Sequence, residues 1–210
     1  MVTRYRVPAR DAEAEVVVTR SRFLCTLRRV GDEGAARALV DDLRRTHHDA
    51  RHHCSAFVLG PPPVPVERSS DDGEPAGTAG APMLEVLRGA GLSDTVAVVT
   101  RWFGGTLLGA GGLVRAYGDA VRAAVEQAGT RERALRAEVE VVLGHDLAGR
   151  VETELRAGGH DVLDAAYASA VTLLLAVDPE RLDPLRAHLA EATAGAVEPT
   201  VVGERWVDLT

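Results

Sequence analysis

The sequence predicts an α+β protein of two domains, divided near residue 130. Apolar residues alternate in some segments and recur at helical spacing in others, and glycine and proline separate these segments. After Gly129 the succession of strand and helix patterns restarts. A chain of 210 residues is long enough for two small domains. We therefore expect one domain over residues 1–130 and a second over residues 131–210.

The first domain is predicted to alternate strands with helices. The expected elements are strands at 14–19 and 23–27, a helix capped by Asp32, a strand at 54–59, a helix at 83–89, a strand at 95–100 and a helix at 113–128. Residues 60–80 are rich in proline, glycine and acidic residues, and we expect them to be irregular. Pro82 is expected to open its helix at the first turn, and Gly129 to end the last one.

The second domain is predicted to have the element order βαββαβ. The expected elements are a strand at 139–143, a helix capped by Asp146 and ended by Gly158, strands at 161–165 and 168–177, a helix carrying Leu182, Leu185 and Leu189, and a strand at 198–207. This order over about 75 residues is typical of a ferredoxin-like fold.

The charge of the chain is unevenly distributed. All 24 basic residues are arginine, and the formal net charge is −7. Residues 1–130 contain 16 arginines and 16 acidic residues, whereas residues 131–210 contain 8 and 15. A broad basic face for nucleic acid is therefore excluded, and any RNA contact is expected to be local and in the first domain.

The compartment is predicted to be the cytoplasm. The start of the chain lacks the apolar segment of a secretion signal, and the most apolar run, residues 171–177, is too short to span a bilayer. We expect no membrane partner. Cys25 and Cys54 are expected to be reduced and buried.

A glycine-rich segment between a strand and a helix is the first candidate site. Five glycines follow Arg101 and Trp102 before the helical pattern begins. A helix N-terminus with free amide groups favours anions. The segment does not match a Walker A loop, which requires lysine and then serine or threonine where this chain has Ala110 and Gly111. It does not match a dinucleotide fingerprint either. Close backbone packing is the alternative role for these glycines.

An acidic loop, Asp71–Gly80, is the second candidate. Asp71, Asp72 and Glu74 could hold a hard cation, although their spacing is not that of an EF-hand. The interpretation we favour is a turn-rich loop in which aspartate and serine side chains bind their own backbone, with Thr78 or Gly80 capping the next helix. The histidine cluster beside Cys54, His47, His48, His52 and His53, lacks zinc-site spacing, and we expect these histidines to be partly buried. We therefore predict no metal and no cofactor.

Three segments resemble the IMPACT/YigZ family. They are Ser21-Arg22-Phe23, the loop from Ser70 to Pro82, and the segment from Val99 to Tyr117, which contains Thr-Arg-Trp-Phe-Gly-Gly and Gly-Gly-Leu-Val-Arg-Ala-Tyr. The segment His53-Cys54-Ser55-Ala56-Phe57 is similar to a fourth family segment. The resemblance covers residues 15–125, and residues 131–200 look like the C-terminal domain of the bacterial members.

The resemblance implies a first domain with the α/β fold of certain ribosomal-protein and elongation-factor domains, followed by a ferredoxin-like domain. Eukaryotic relatives are translational regulators that act through a separate N-terminal module, and we do not expect the partner function of that module in this chain. The family usually has lysine in the glycine segment where this chain has Leu107. A ligand-binding role for the segment would therefore need Arg101 or Arg115 in its place.

Together these observations predict a cytoplasmic, non-enzymatic binding protein, a translation regulator or RNA- or ribosome-associated factor, in which arginine pairs with phosphate and aromatic residues stack on bases. The predicted surface consists of Arg22, Asp71, Asp72, Glu74, Thr78, Arg101, Trp102, Phe103, Gly104, Gly105, Gly109, Gly111, Gly112, Arg115 and Tyr117.

No catalytic residue is assigned. One alternative is a magnesium-dependent enzyme or a binder of a small phosphate-containing ligand at the paired loops. Another is an adaptor whose acidic second domain binds a basic translation-related protein.

Overall fold

The computed structural model describes residues 2–209, which form two compact units, one up to Arg133 and one over Ala134–Leu209. Each unit is α+β, and the described residues contain five α-helices and two sheets. No helix in this part of the chain is both long and apolar enough to cross a membrane.

The first unit is built on an antiparallel sheet with the strand order β2-β3-β6-β4-β5. Its elements are β1 (Arg4–Pro8), β2 (Ala12–Val18), β3 (Ser21–Arg29), α1 (Glu33–Thr46), β4 (His52–Leu59), β5 (Val66–Ser70), α2 (Gly80–Gly89), β6 (Thr95–Trp102) and α3 (Gly109–Ala128). Asp32 caps α1 as predicted, because its carboxylate accepts a 2.8 Å hydrogen bond from the amide of Ala35.

Helices cover both faces of this sheet. On one face, α1 packs Ala36 and Leu43 against Phe57 and its neighbours on the central strands. On the other face, α2 and α3 bury the larger core, which includes Met83 and Tyr117. The central strand β6 is buried on both faces because helices pack against each side.

Two predictions for the first unit were wrong. Residues 66–70 form β5 rather than irregular chain; this edge strand is mostly exposed and therefore shows no apolar alternation. The last helix begins at Gly109 and not at Leu113, so Gly111 and Gly112 lie in its first turn. Glycine is a poor helix former, which hides a helix start of this composition.

The second unit has the predicted element order βαββαβ. The long strand β7 (Thr130–Leu143) begins in the first unit and continues into the second; it is followed by α4 (His145–Ala157), β8 (Asp161–Tyr167), β9 (Val171–Val177), α5 (Leu182–Ala192) and β10 (Thr200–Asp208). The strand order β10-β7-β9-β8 is that of a ferredoxin-like sheet. Gly144, not Asp146, occupies the N-cap of α4, whereas Gly158 ends that helix as predicted.

Candidate anion-binding pocket

Strand alternation separates Arg101 from Trp102. The Arg101 guanidinium lies 5.3 Å from the ring centre of its cross-strand neighbour Phe23, on the face covered by α2 and α3. Trp102 lies on the opposite face, where Arg22 stands 4.7 Å from the centre of its indole ring. Successive residues of a strand point to opposite faces, so the predicted single surface is divided between two faces of the sheet.

Arg101 belongs to a buried polar cluster centred on Glu74. The Oε1 atom of Glu74 accepts hydrogen bonds from Nη1 of Arg101 and, at 2.8 Å, from the hydroxyl of Tyr117. The Glu74 and Arg101 side chains are only 4% and 7% exposed. A buried ion pair of this kind contributes little net stability, because desolvation offsets its attraction.

Two uncharged groups complete the cluster. The Sγ atom of Cys54 lies 3.3 Å from the Tyr117 hydroxyl and 3.0 Å from the Asp71 carbonyl oxygen. Burial raises the pKa of the Cys54 thiol to about 12, and burial raises the pKa of the Tyr117 hydroxyl even further. At neutral pH both groups remain protonated, so the charged groups of the cluster are Glu74 and Arg101.

A pocket of about 280 Å³ opens beside this cluster. The residues that line it come from the start of β4, the acidic loop, the end of β6 with the segment that follows it, and the start of α3: Arg51, His52, Glu74, Pro75, Arg101, Phe103, Leu107, Leu108, Gly109, Ala110 and Leu113. Arg51 is held here because its backbone amide donates to the carbonyl oxygen of Arg101 at 3.1 Å. The Nε atom of Arg101 is buried and finds no hydrogen-bond partner within residues 2–209.

The start of α3 adds positive potential to the same pocket. Leu108 occupies the N-cap position, and no side chain caps the helix there. Gly109 and Ala110, the first two helical residues, line the pocket. The amides of an uncapped first turn and the helix dipole both favour an anion at this end. With two arginines and one glutamate in its lining, the pocket suits a negatively charged group.

The three carboxylates of the acidic loop do not converge on one point. Asp71 accepts hydrogen bonds from the backbone amides of Gly77, Ala79 and Gly80 at 2.8–3.0 Å. Asp72 pairs with Arg44 at 2.6 Å, and Glu74 pairs with Arg101. No group of three or more His, Cys, Asp or Glu side chains among residues 2–209 is placed to hold a metal ion. The arrangement proposed for magnesium is therefore wrong.

The loop instead uses its polar side chains to fix its own backbone, as the favoured interpretation predicted. Asp71 supplies the hydrogen bonds to the first amides of α2, which its N-cap residue Ala79 cannot provide. The hydroxyl of Thr78 donates to the carbonyl oxygen of Pro75 at 2.7 Å and caps no helix. The loop thereby holds Glu74 and Pro75 against the pocket.

Other residues of the predicted surface lie outside the pocket. Arg22 pairs with Glu15 at 2.7 Å beside Trp102. Arg115 lies on α3 in a different cavity, between α2 and α3. Tyr117 is fully buried and cannot stack on a base. Of the two arginines named to take the place of the family lysine at Leu107, Arg101 lies in this pocket and Arg115 does not.

The glycines of the segment have different roles. The amide of Gly104 donates to the Ser21 hydroxyl at 3.0 Å, and a Cβ atom there would lie 2.1 Å from the backbone carbon of Arg20. Gly105 and Gly109 have φ angles of +88° and +69°. Close packing and left-handed backbone therefore explain these three glycines, in agreement with the alternative that the sequence left open.

Sequence reasoning missed Arg51 and His52. Arg51 stands alone in the sequence next to the histidine cluster, and no motif marks it. His52 was grouped with that cluster as a partly buried residue, although its position at the first residue of β4 brings it to the pocket. The resemblance drew attention to the neighbouring segment from His53 but assigned no role to either residue.

Known proteins share this architecture. The Impact N-terminal domain family matches residues 19–125, and a domain of unknown function, DUF1949, matches residues 141–196. The chain belongs to the IMPACT family. Family member YvyE of Bacillus subtilis is 38% identical over 93% of this chain and 89% of its own, and family member YigZ of Escherichia coli is 37% identical over 94% and 98%.

A solved relative extends the likeness to the whole fold. The crystal structure of a hypothetical protein is 34% identical to this chain, with a TM-score of 0.68. The match covers 96% of this chain and 98% of the other. Both units therefore recur together in a single known structure.

Proposed function

We propose that this IMPACT-family protein is a non-enzymatic binding protein that takes a phosphate group of single-stranded RNA into the pocket. The observation that carries the proposal is Arg101, which lines the pocket and whose buried Nε atom has no hydrogen-bond partner among the described residues. A buried N–H group without an acceptor is costly, and a ligand oxygen would satisfy it. Arg51 and the first amides of α3 would share the same phosphate.

Phe103 supports a nucleic acid rather than a bare anion. Phe103 is 39% exposed, and its ring centre lies 5.6 Å from the Arg51 guanidinium and 5.8 Å from that of Arg101. An exposed aromatic ring beside a phosphate-binding arginine is the arrangement on which single-stranded bases stack. Trp102 is less suitable, because Arg22 covers its ring and the His47 ring packs against it in a T-shaped contact.

The charge of the first domain limits the size of the contact. Residues 1–130 carry as many arginines as acidic residues, so few phosphates can be neutralised. We expect modest affinity with a weak salt dependence. The implied relationship of the first domain to ribosomal-protein and elongation-factor domains makes RNA of the translation machinery the favoured class.

Binding of a labelled single-stranded RNA, measured by fluorescence anisotropy at low and moderate salt, tests the proposal. Arg51→Gln should weaken binding by about fivefold and reduce its salt dependence, because one phosphate contact is lost. Arg115→Gln removes the same charge from the same unit outside the pocket, and should leave affinity unchanged. Equal affinities for Arg51→Gln and Arg115→Gln would overturn the proposal.

A small phosphate-bearing ligand is the second candidate. The pocket volume of about 280 Å³ favours this candidate, because that volume is small for a site that binds a long single strand of RNA. Competition with inorganic phosphate and with a nucleoside monophosphate separates the two candidates. If the monophosphate binds as tightly as the RNA, and Arg51→Gln weakens both equally, the small ligand is the better assignment.

The second unit suits a basic protein partner. Residues 134–209 contain fourteen acidic residues and six arginines. In its sheet, Leu174 of β9 pairs with Glu140 of β7 on one side and with Asp164 of β8 on the other. Glu140 is exposed and lies between two buried residues of β7. An acidic, partly apolar sheet face complements an arginine-rich segment of a translation-related protein. A titration of the full chain with an arginine–valine peptide, followed by NMR, should shift these positions and no others; shifts spread evenly over the protein would contradict it.

A further inference from the structure

His52 lines the pocket, and a hydrogen bond from one ring nitrogen fixes the orientation of its ring. Its Nδ1 atom lies 2.8 Å from the carbonyl oxygen of Asp72. A carbonyl oxygen only accepts, so Nδ1 is the nitrogen that donates. In a neutral imidazole the second nitrogen, Nε2, then carries a lone pair and is an acceptor. The side chain is 15% exposed, and His52 lines the pocket.

Nothing within residues 2–209 donates a hydrogen bond to this nitrogen. Nε2 lies 3.9 Å from Oε1 of Glu74, which is beyond hydrogen-bond distance. That oxygen already accepts from Arg101 and Tyr117. In its neutral form, His52 therefore adds a hydrogen-bond acceptor to the lining of the pocket, beside groups that attract an anion.

These two features restrict the ligand. Phosphate oxygens are acceptors at neutral pH, so a phosphate satisfies Arg101 and the start of α3 but cannot satisfy Nε2 of His52. A ligand that satisfies both carries a hydroxyl or N–H donor next to its phosphate. In RNA the ribose 2′-hydroxyl is such a donor, adjacent to the 3′-phosphate, and DNA lacks it.

We propose that Nε2 of His52 accepts a hydrogen bond from the 2′-hydroxyl of the nucleotide whose phosphate binds at Arg101 and the start of α3, so that the pocket distinguishes RNA from DNA. The inference rests on the proposed function and adds its sugar specificity. His52 is thus a specificity-determining residue, while Arg51 and Arg101 provide the affinity for phosphate.

Binding of three oligonucleotides of one sequence tests the inference. They are RNA, DNA and 2′-fluoro RNA, whose fluorine keeps the ribose conformation without donating a hydrogen bond. The wild type should bind RNA about fivefold more tightly than 2′-fluoro RNA, as one neutral hydrogen bond allows. In His52→Phe this ratio should fall to about one. His48→Phe, which alters an exposed histidine outside the pocket, should keep the wild-type ratio.

The outcomes separate the two proposals. Equal wild-type affinity for RNA and 2′-fluoro RNA, with binding still weakened by Arg51→Gln, overturns the role of His52 and leaves the proposed function intact. A ratio that survives in His52→Phe also overturns it. Absence of any binding that depends on Arg51 overturns the proposed function and this inference together. The comparison within the wild type decides the question even if His52→Phe folds poorly.

Discussion

Tyr117 and Arg101 donate hydrogen bonds to the same oxygen atom, Oε1 of Glu74. Tyr117 reaches it from α3 and Arg101 from β6, so one carboxylate on a loop joins a helix and a strand. The edge-to-face contact of Tyr117 with Phe23, at 5.1 Å between ring centres, fixes the hydroxyl in this position. Glu74 is thereby the group on which the geometry of the pocket depends.

Replacing Glu74 should destabilise the first unit strongly. In Glu74→Gln the buried Arg101 guanidinium loses its counter-charge, and breaking a buried ion pair in this way costs about 3 kcal/mol. The free energy of unfolding, measured with denaturant, checks this. Glu33→Gln is the matched control, because Glu33 pairs with Arg37 on the exposed face of α1 and such pairs contribute less than about 0.5 kcal/mol. Similar losses in both variants would contradict the prediction.

Two glycines of the same segment should respond oppositely to alanine. In Gly104→Ala the new Cβ atom would overlap the backbone of Arg20 and Ser21 at 2.1–2.3 Å, so one chain segment must move. We expect a loss of more than about 2 kcal/mol of stability. A Cβ atom at Gly111 meets nothing within 4 Å, and alanine is the better helix former in the first turn of α3. Gly111→Ala should therefore gain about 0.5 kcal/mol. Thermal unfolding of the two variants side by side checks both signs.

Local chemistry made much of the fold predictable. The cap at Asp32 and the strand-and-helix order of the second domain follow from short-range rules. The exposed edge strand β5 was not predicted, because a strand without a buried face shows no alternation of apolar and polar residues.

The pocket was only half predictable. Glu74, Arg101 and the start of α3 could be named because they lie in distinctive motifs. The predicted strand at 95–100 stopped one residue short of Arg101, so the opposite orientations of Arg101 and Trp102 were not assigned. Arg51 reaches the pocket through the pairing of β4 with β6, which depends on residues nearly fifty positions away. The identity of the ligand stays a prediction.

The Asp71 carboxylate should make the first unit sensitive to acid. Burial alone would raise its pKa, but the amides of Gly77, Gly80 and Ala79 together outweigh this and hold the pKa below its usual value of 3.8. A carboxyl with a lowered folded-state pKa stabilises the protein above the unfolded value, and this stability is lost as pH falls through the folded pKa. Unfolding monitored across the range below about pH 4 should show a loss in the wild type.

Asp71→Asn should remove that acid-dependent loss and cost stability at neutral pH. An asparagine oxygen can still accept from Ala79 and Gly80, but its amide group would face the amide of Gly77, donor against donor. We expect a loss of about 1–2 kcal/mol at pH 7. Asp42→Asn, at an exposed pair with Arg45, should change neither quantity. If Asp71→Asn kept the acid sensitivity of the wild type, that sensitivity would come from another carboxyl group and the prediction would be wrong.

The two cysteines should resist alkylation in the native state. Burial raises the pKa of Cys54 to about 12 and that of Cys25 still further, and neither side chain is exposed. The thiolate is the reactive form, so its fraction at pH 8 is very small and the reagent has no access to it. Mass spectrometry after treatment with iodoacetamide should find an unmodified native chain and two modifications after unfolding. Rapid modification of Cys54 alone in the native protein would contradict this prediction. It would show that the cluster beneath the pocket opens in solution and that the hydrogen bond joining Cys54 to Tyr117 does not persist.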